Sequence, residues 1–255
     1  MVHFYRRKKL VMETKLIKGL EKIEKNDIVV ICLPHAGGGA SFFNSWSKYF
    51  KKPYVICPVQ LPGREERIVE KPMESMTEIA SQIVEILMTL ENDFILFGHS
   101  MGTKMLFEVE KLLEKNGRMA KLAVVSACPP PDRLESEKIA HLSDDRFIEA
   151  LLNYDGIPQV LLENRQLLDM FLPMLKADFR LSEDYVCEDN TPIKCPICAM
   201  GANQDYDALE PAIKAWASYT QYDFSYRMFE GTHFYIKEKE QEVLSQIKEY
   251  FDKVN

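Results

Sequence analysis

No run of about 18 apolar residues occurs anywhere in this 255-residue chain, so a membrane-spanning helix is not expected. The start is equally short of what an export signal needs. Its basic cluster, Arg6, Arg7, Lys8 and Lys9, leads into LVMETKLIKGLEKIEKN, which holds neither an uninterrupted apolar stretch of roughly 7 to 15 residues nor a small-residue cleavage site. Basic charge is also scarce. Against 39 Asp and Glu, 32 Lys and Arg leave a net charge of −7, which argues against a general nucleic-acid binder with its basic face. Cys195-Pro-Ile-Cys198 has redox or zinc spacing, but no second Cys-x-x-Cys or His pair accompanies it. In a chain without an export signal, Cys32, Cys57, Cys128, Cys187, Cys195 and Cys198 are expected to be reduced, ordinary buried thiols. These absences together predict a soluble, cytoplasmic protein.

What is present is a core-forming composition, 46% hydrophobic and 28% charged, arranged as alternating strands and helices. Continuous apolar runs at 27–33, 54–60, 94–98, 121–127 and 193–200 read as strands buried on both faces, with a sixth at 224–229. Helical spacing marks 75–91, where Met76, Ile79, Ile83, Ile86, Leu87 and Leu90 share a face. It also marks 101–116, closed by Gly117, then a stretch near 209–219 and a C-terminal helix from 239 to 253. This alternation predicts an α/β fold, a mostly parallel sheet with helices on both faces. The gap from Cys128 to Thr191 breaks the rhythm with Pro129-Pro130-Pro131 and amphipathic patches at 145–154 and 164–179. With no repeat or low-complexity linker, 1–255 reads as one domain. It carries a helical lid insertion at about 129–191 and a basic N-terminal extension at about 1–20, within which Met12 offers an alternative start.

FILFGHSMGT, residues 94–103, places Gly-x-Ser-x-Gly between a predicted strand and a predicted helix. Glycines at Gly98 and Gly102 allow the sharp turn that lifts a serine hydroxyl above a sheet, so Ser100 reads as a nucleophile rather than a loop serine. A serine needs a base, itself oriented by a carboxylate, and both follow it in this fold class. Two histidines follow Ser100. His141 lies inside the helical insertion, whereas His233 follows the sixth strand, where ligand chemistry at a sheet edge belongs. His233 is therefore the expected base. Asp205 and Asp207 both lie just past the fifth strand and remain open as the acid; Glu210 is placed to begin a helix. The first strand ends in LPHAGGGAS, whose glycines expose backbone N–H groups. The amides of Ala36 and Met101 would form the oxyanion hole. A phosphate cradle is the rival reading of that turn, but neither Gly-x-Gly-x-x-Gly nor a P-loop lysine is there. His35 and His99 read as structural supports of the site, and no metal is expected.

From Ile28 to Phe251 the chain resembles the type II thioesterases of nonribosomal peptide and polyketide synthesis, members of the α/β-hydrolase superfamily. The stretches LPHAGGGAS (33–41), VQLPGREER (59–67), FGHSMG (97–102) and LPMLKADFRLSEDY (172–185) carry the resemblance, the second and fourth being the more particular. Gly201-x-x-x-Asp205 and Gly231-Thr-His-Phe234 complete it, with Thr232 where glycine is commoner and Tyr206 where proline is frequent. The resemblance implies Asp205 as the acid and His233 as the base. It also implies an α/β-hydrolase fold and hydrolysis of aberrant or short acyl groups from the phosphopantetheine thiol of carrier proteins. It implies no cofactor beyond the phosphopantetheine that the carrier brings; the acidic balance and the lack of a long apolar run predict no nucleic-acid or membrane partner, and a monomer is expected. Met170, Phe171, Met174 and Leu175, with Leu168, would line an acyl chamber under the lid, unless the stripe is simply core. Arg64 and Arg67 would contact phosphate or carrier, or form structural ion pairs. A generic carboxylesterase or lipase, a carrier-dependent acyl transferase, and an inactive fold that only binds carrier proteins are the alternatives.

Overall fold

The computed structural model describes residues 15–133, 138–152 and 164–255. Six strands form one sheet in the order β2-β1-β3-β4-β5-β6, and every neighbouring pair is parallel. They are β1 (Ile28–Leu33), β2 (Tyr54–Pro58), β3 (Phe94–His99), β4 (Leu122–Ser126), β5 (Ile197–Ala202) and β6 (Phe224–Phe229). The interior strands β1, β3, β4 and β5 are almost wholly buried, which is why their sequences run apolar without alternation. Helices α1 (Met76–Leu87) and α2 (Met101–Lys115) cover one face. The turn of 3-10 helix at Ala40–Lys48 and the C-terminal helix, Glu240–Val254, cover the other around Trp46, Phe97 and Ile247.

Local chemistry sets the ends of these elements. Ser75 accepts the Glu78 amide at 3.2 Å, capping α1, whose Met76, Ile79, Ala80, Ile83, Val84 and Leu87 face the sheet. Gly117, at φ +72°, ends α2 in the left-handed conformation that glycine adopts without strain. Helix α2 is buried over most of its length, so two of its lysines reach partners rather than water: Lys104 Nζ donates to the Ser182 carbonyl at 2.9 Å and Lys111 Nζ to Thr191.

Two expectations shift. The fifth strand begins at Ile197 rather than 193, because Pro196 has no N–H for the ladder; Ile193 instead forms an isolated bridge with Thr220. The N-terminal extension does not reach residue 20. Leu16, Ile17 and Leu20 are buried in the core, and Ile17 bridges Val59, whose amide still donates to the Cys32 carbonyl of β1 at 2.8 Å. Residues 1–14, including the basic cluster and Met12, lie outside the described residues.

Between β4 and β5 stand α3 (Asp144–Leu151) and α4 (Arg165–Glu183), with Ile139, Phe147, Leu151, Leu168, Leu172, Met174 and Leu175 packed as a cluster of their own. Residues 134–137 and 153–163 of the expected insertion lie outside the described residues. Short helices α5 (Glu210–Ala215) and α6 (Tyr235–Glu238) follow β5 and β6, and α7 is Glu240–Val254. Because β2 pairs on one side of β1 and β3 on the other, the strand order reverses between β1 and β3. A crevice opens beyond their carboxyl ends, where ligands of open α/β sheets bind.

Candidate active site

Ser100 occupies the turn from β3 into α2 with φ 54° and ψ −122°, a conformation that costs a non-glycine residue about 1–3 kcal/mol. The surrounding packing enforces it. A Cβ on Gly98 would lie 2.3 Å from the Gly102 carbonyl oxygen, and one on Gly102 would lie 2.1 Å from that of Leu33. Both contacts are to backbone and cannot be relieved by a rotamer, so the two glycines of the motif are dictated by the close approach of β1, β3 and α2. The Ser100 amide donates to the Ser126 carbonyl at 2.9 Å, and Thr103 Oγ1 donates to the Gly98 carbonyl at 2.8 Å, fixing the turn on both sides.

His233 follows β6 and Asp205 follows β5. The structure brings them together: Nδ1 of His233 lies 2.9 Å from Oδ2 of Asp205. Asp205 is only 2% exposed, and its other oxygen accepts the Asp207 amide at 3.2 Å. Asp205 is thus the carboxylate in hydrogen-bonding contact with His233, while Asp207 supplies a backbone amide to Asp205 and is itself exposed. Ligand atoms of Asp205, Asp207 and His233 gather within 4.8 Å of one another, so a metal ion would meet these three. With both Asp205 oxygens already bonded, the arrangement suits orientation of an imidazole better than metal coordination. His141 lies elsewhere, half-exposed against Asp184 in the insertion.

The His233 ring sits against that of His99, centroids 5.2 Å apart, which places it beside the residue preceding Ser100. His99 is fully buried; its Nδ1 lies 2.9 Å from Ser126 Oγ, which is 2.7 Å from the Tyr235 hydroxyl. Burial and the nearby His233 hold the His99 pKa well below the ordinary imidazole value. His35 behaves alike: burial, then His233 and Arg64, push it down to about 3. Its ring packs edge-on between Phe42 and Phe234, with centroids 4.7 and 4.8 Å away. Two neutral rings therefore underlie His233 and add no competing positive charge.

The glycine turn after β1 uses up most of its own amides. Gly37 donates to Asp178 Oδ2 at 2.7 Å, Gly38 to the His35 carbonyl at 2.9 Å, Ala40 to Gln60 Oε1 at 2.7 Å and Ser41 to Glu65 Oε1 at 3.0 Å. Among the described residues the Ala36 amide meets no such acceptor. The Met101 amide opens α2, where no preceding intrahelical carbonyl exists to take it. The Gly39 amide likewise meets no acceptor among the described residues, so Ala36 and Met101 are two of several backbone donors near the serine turn that are open to a ligand.

A cavity of about 1310 Å³ runs along this turn, lined by Ala36, Gly37, Phe171, Met174, Leu175 and Phe234 among others. Leu167 also lines it and was missed in the sequence, although 167, 171, 174 and 175 make one helical stripe. Met170 falls off that stripe; it is 55% exposed and not part of the lining, and Leu168 faces the α3–α4 cluster instead. The two arginines form ion pairs within the protein, Arg64 with Asp178 and Arg67 with Glu70. Cys195 and Cys198 form no disulfide and are buried, and burial pushes the Cys198 thiol up to about 12.

A parallel sheet with a strained serine turn after its central strand, and an Asp–His pair beyond the later strands, defines an α/β-hydrolase. The sequence pattern of the family described as "Thioesterase domain" matches residues 29–251, and the chain belongs to that family of thioester hydrolases. Gramicidin S biosynthesis protein GrsT of Aneurinibacillus migulanus is 33% identical over 218 residues, covering 84% of this chain and 85% of that protein. The structure of the type II thioesterase BorB from the borrelidin biosynthetic cluster matches with a TM-score of 0.83 at 31% identity, covering 92% of this chain and 97% of that one. YbtT, the type II thioesterase of the yersiniabactin pathway, matches with a TM-score of 0.84 at 26% identity, covering 94% and 99%.

Proposed function

We propose that this protein is an editing thioesterase of nonribosomal peptide or polyketide synthesis. It removes aberrant or short acyl groups from the phosphopantetheine thiol of carrier proteins. The observation that carries the chemistry is the His233–Asp205 contact of 2.9 Å beside the strained Ser100 turn. The substrate class is supported by YbtT and ClbQ, similar structures that come from nonribosomal peptide/polyketide pathways, those of yersiniabactin and colibactin.

In this reading Asp205 fixes the His233 tautomer with Nδ1 protonated, leaving Nε2 to accept the Ser100 proton as Oγ attacks the thioester carbonyl. The amides of Ala36 and Met101 hold the oxyanion. The tetrahedral intermediate collapses, the C–S bond breaks, and the thiolate takes the proton from His233. Water, deprotonated by the same imidazole, then attacks the acyl-serine; the acid leaves and Ser100 regains its proton. Side chains, two backbone donors and water suffice, so no metal or cofactor is called for beyond the phosphopantetheine on the carrier. Helix α4, which lines the cavity, acts as a lid over it, and Phe171, Met174 and Leu175 receive the acyl group. No helix among the described residues is long and apolar enough to cross a membrane, and six free thiols suit a reducing cytoplasm, where the protein would act as a monomer.

The test offers purified protein an acetyl-pantetheinyl carrier protein and short nitrophenyl esters. Higher kcat/KM on the carrier thioester, with free acid released in water, is the expected result. Higher kcat/KM on the esters would sink the reading in favour of a general esterase.

A further inference from the structure

Arg64 and Asp178 are among the least exposed charged residues of the molecule, at 3% and 1%, and they come from the two most particular sequence stretches. Their pairing is bidentate: Nη1 to Oδ2 at 2.6 Å and Nη2 to Oδ1 at 2.8 Å. A buried ion pair rarely repays its desolvation by stability alone. What distinguishes this one is where its remaining hydrogen-bonding capacity goes. Asp178 Oδ2 also accepts the Gly37 amide at 2.7 Å, and Arg64 Nη1 also donates to the Gly38 carbonyl at 2.8 Å. The pair therefore grips the glycine turn by one donor and one acceptor, immediately after the Ala36 peptide.

Two further contacts hold the turn. Gly37, at φ +78°, lies under α4 so closely that a Cβ there would be 2.8 Å from Leu175 Cδ2. Gln60, next to the Arg64 loop, accepts the Ala40 amide at 2.7 Å while its own Nε2 donates to the Arg64 carbonyl at 3.2 Å. Glycine is the residue least able to hold a conformation unaided. Three glycines in a row at an oxyanion donor therefore need an external brace, and a planar guanidinium locked to a carboxylate supplies one without rotational freedom.

We propose that Arg64 and Asp178 are positioning residues that brace the glycine turn and aim the Ala36 amide at the oxyanion. Asp178 also ties that aim to the seat of α4, because it sits on the helix that lines the cavity. The inference rests on the reading of Ala36 as an oxyanion donor.

The experiment compares wild-type protein with Asp178→Asn, which keeps an acceptor for the Gly37 amide but loses the charge. It also uses the double variant Arg64→Met/Asp178→Leu, which removes both charges and leaves neither unpaired. An alkyl fluorophosphonate is the probe. It phosphonylates the serine with loss of fluoride, its P=O oxygen takes the oxyanion position, and intact-mass measurement gives the rate. The double variant is expected to retain a cooperative thermal transition and to label about 100-fold more slowly, the loss associated with a displaced oxyanion donor. Asp178→Asn should slow about tenfold, and on nitrophenyl acetate kcat should fall with KM unchanged. A folded variant of either kind that labels within twofold of wild type, or whose loss lies wholly in KM, overturns the proposal. If the double variant does not fold, Asp178→Asn decides by the same criteria. The labelling rate reads the brace whatever the natural substrate. Wild-type protein that labels at Ser100 yet leaves acetyl-carrier thioester intact overturns the substrate reading alone.

Discussion

At the residue scale, the contrast between Asp205 and Asp207 carries the most information. They lie two positions apart after β5 and are chemically identical, yet one is 2% exposed with its carboxylate 2.9 Å from His233 Nδ1, while the other is exposed and gives its amide to the first. A buried carboxylate needs hydrogen-bond partners, and the imidazole and the Asp207 amide supply them to Asp205. We predict that Asp205→Asn lowers kcat on a carrier-bound acetyl thioester by about 10⁴-fold, because an asparagine selects the wrong imidazole tautomer. Asp207→Asn keeps its backbone amide and should stay within a few-fold of wild type; steady-state kinetics on both variants checks the assignment. Residue spacing narrowed the acid to this neighbourhood and only the family resemblance favoured Asp205, because a side chain's burial depends on β6 and its following loop closing over it.

At the element scale, the junction of β3 with α2 is held by sterics more than by hydrogen bonds. Gly102 and Gly117 sit at opposite ends of the same helix and serve different purposes. A Cβ at Gly102 would be 2.1 Å from the Leu33 carbonyl oxygen, whereas a Cβ at Gly117 meets nothing within 4 Å. Gly117→Ala should cost only the left-handed backbone penalty, about 1 kcal/mol. Gly102→Ala forces β1 and α2 apart and should cost about 3 kcal/mol, the upper end for overpacking. Denaturant unfolding of the two variants separates the cases, and equal losses would contradict the account. Gly-x-Ser-x-Gly was legible as a turn because its spacing is local. That Gly102 yields to Leu33, 69 positions earlier, is a property of the packed sheet.

At the scale of the whole molecule, three buried ionisable groups shape stability against pH. Glu110, on α2, is pushed up to about 8 from 4.5, first by burial and then by Glu114, with the Ala120 amide and Cys195 opposing. The folded state thus keeps a proton that the unfolded chain releases, and Glu110 lowers stability as pH rises from about 4.5 to 8. His35, at about 3 against 6.5, and His99, also lowered, work the other way: the unfolded chain takes up protons that the fold refuses, so stability falls as pH drops below 6.5. Two histidine slopes outweigh one glutamate slope below pH 6.5, and the glutamate acts alone above it. We therefore predict a maximum in thermal stability near pH 6.5, with each group contributing a slope of about 1.4 kcal/mol per pH unit in its window. Glu110→Gln should flatten the alkaline limb and leave the acid limb; melting temperatures between about pH 5 and 9 test this, and an unchanged alkaline limb would count against Glu110.

The sequence alone determined what depends on short-range pattern: the buried parallel strands, the amphipathic α1, the serine turn, and the chain order of nucleophile, acid and base. Those signals arise from periodicity and from backbone conformations that few residues tolerate, and both are written locally. The tertiary structure decided which of two aspartates meets His233, which amides of the glycine turn remain unspent, and that Met170 lies outside the cavity that Leu167 joins. It also turned Arg64 toward Asp178 and drew Leu16, Ile17 and Leu20 into the core. Each of these depends on the distance between segments far apart in the chain, and that distance is set only when the elements pack.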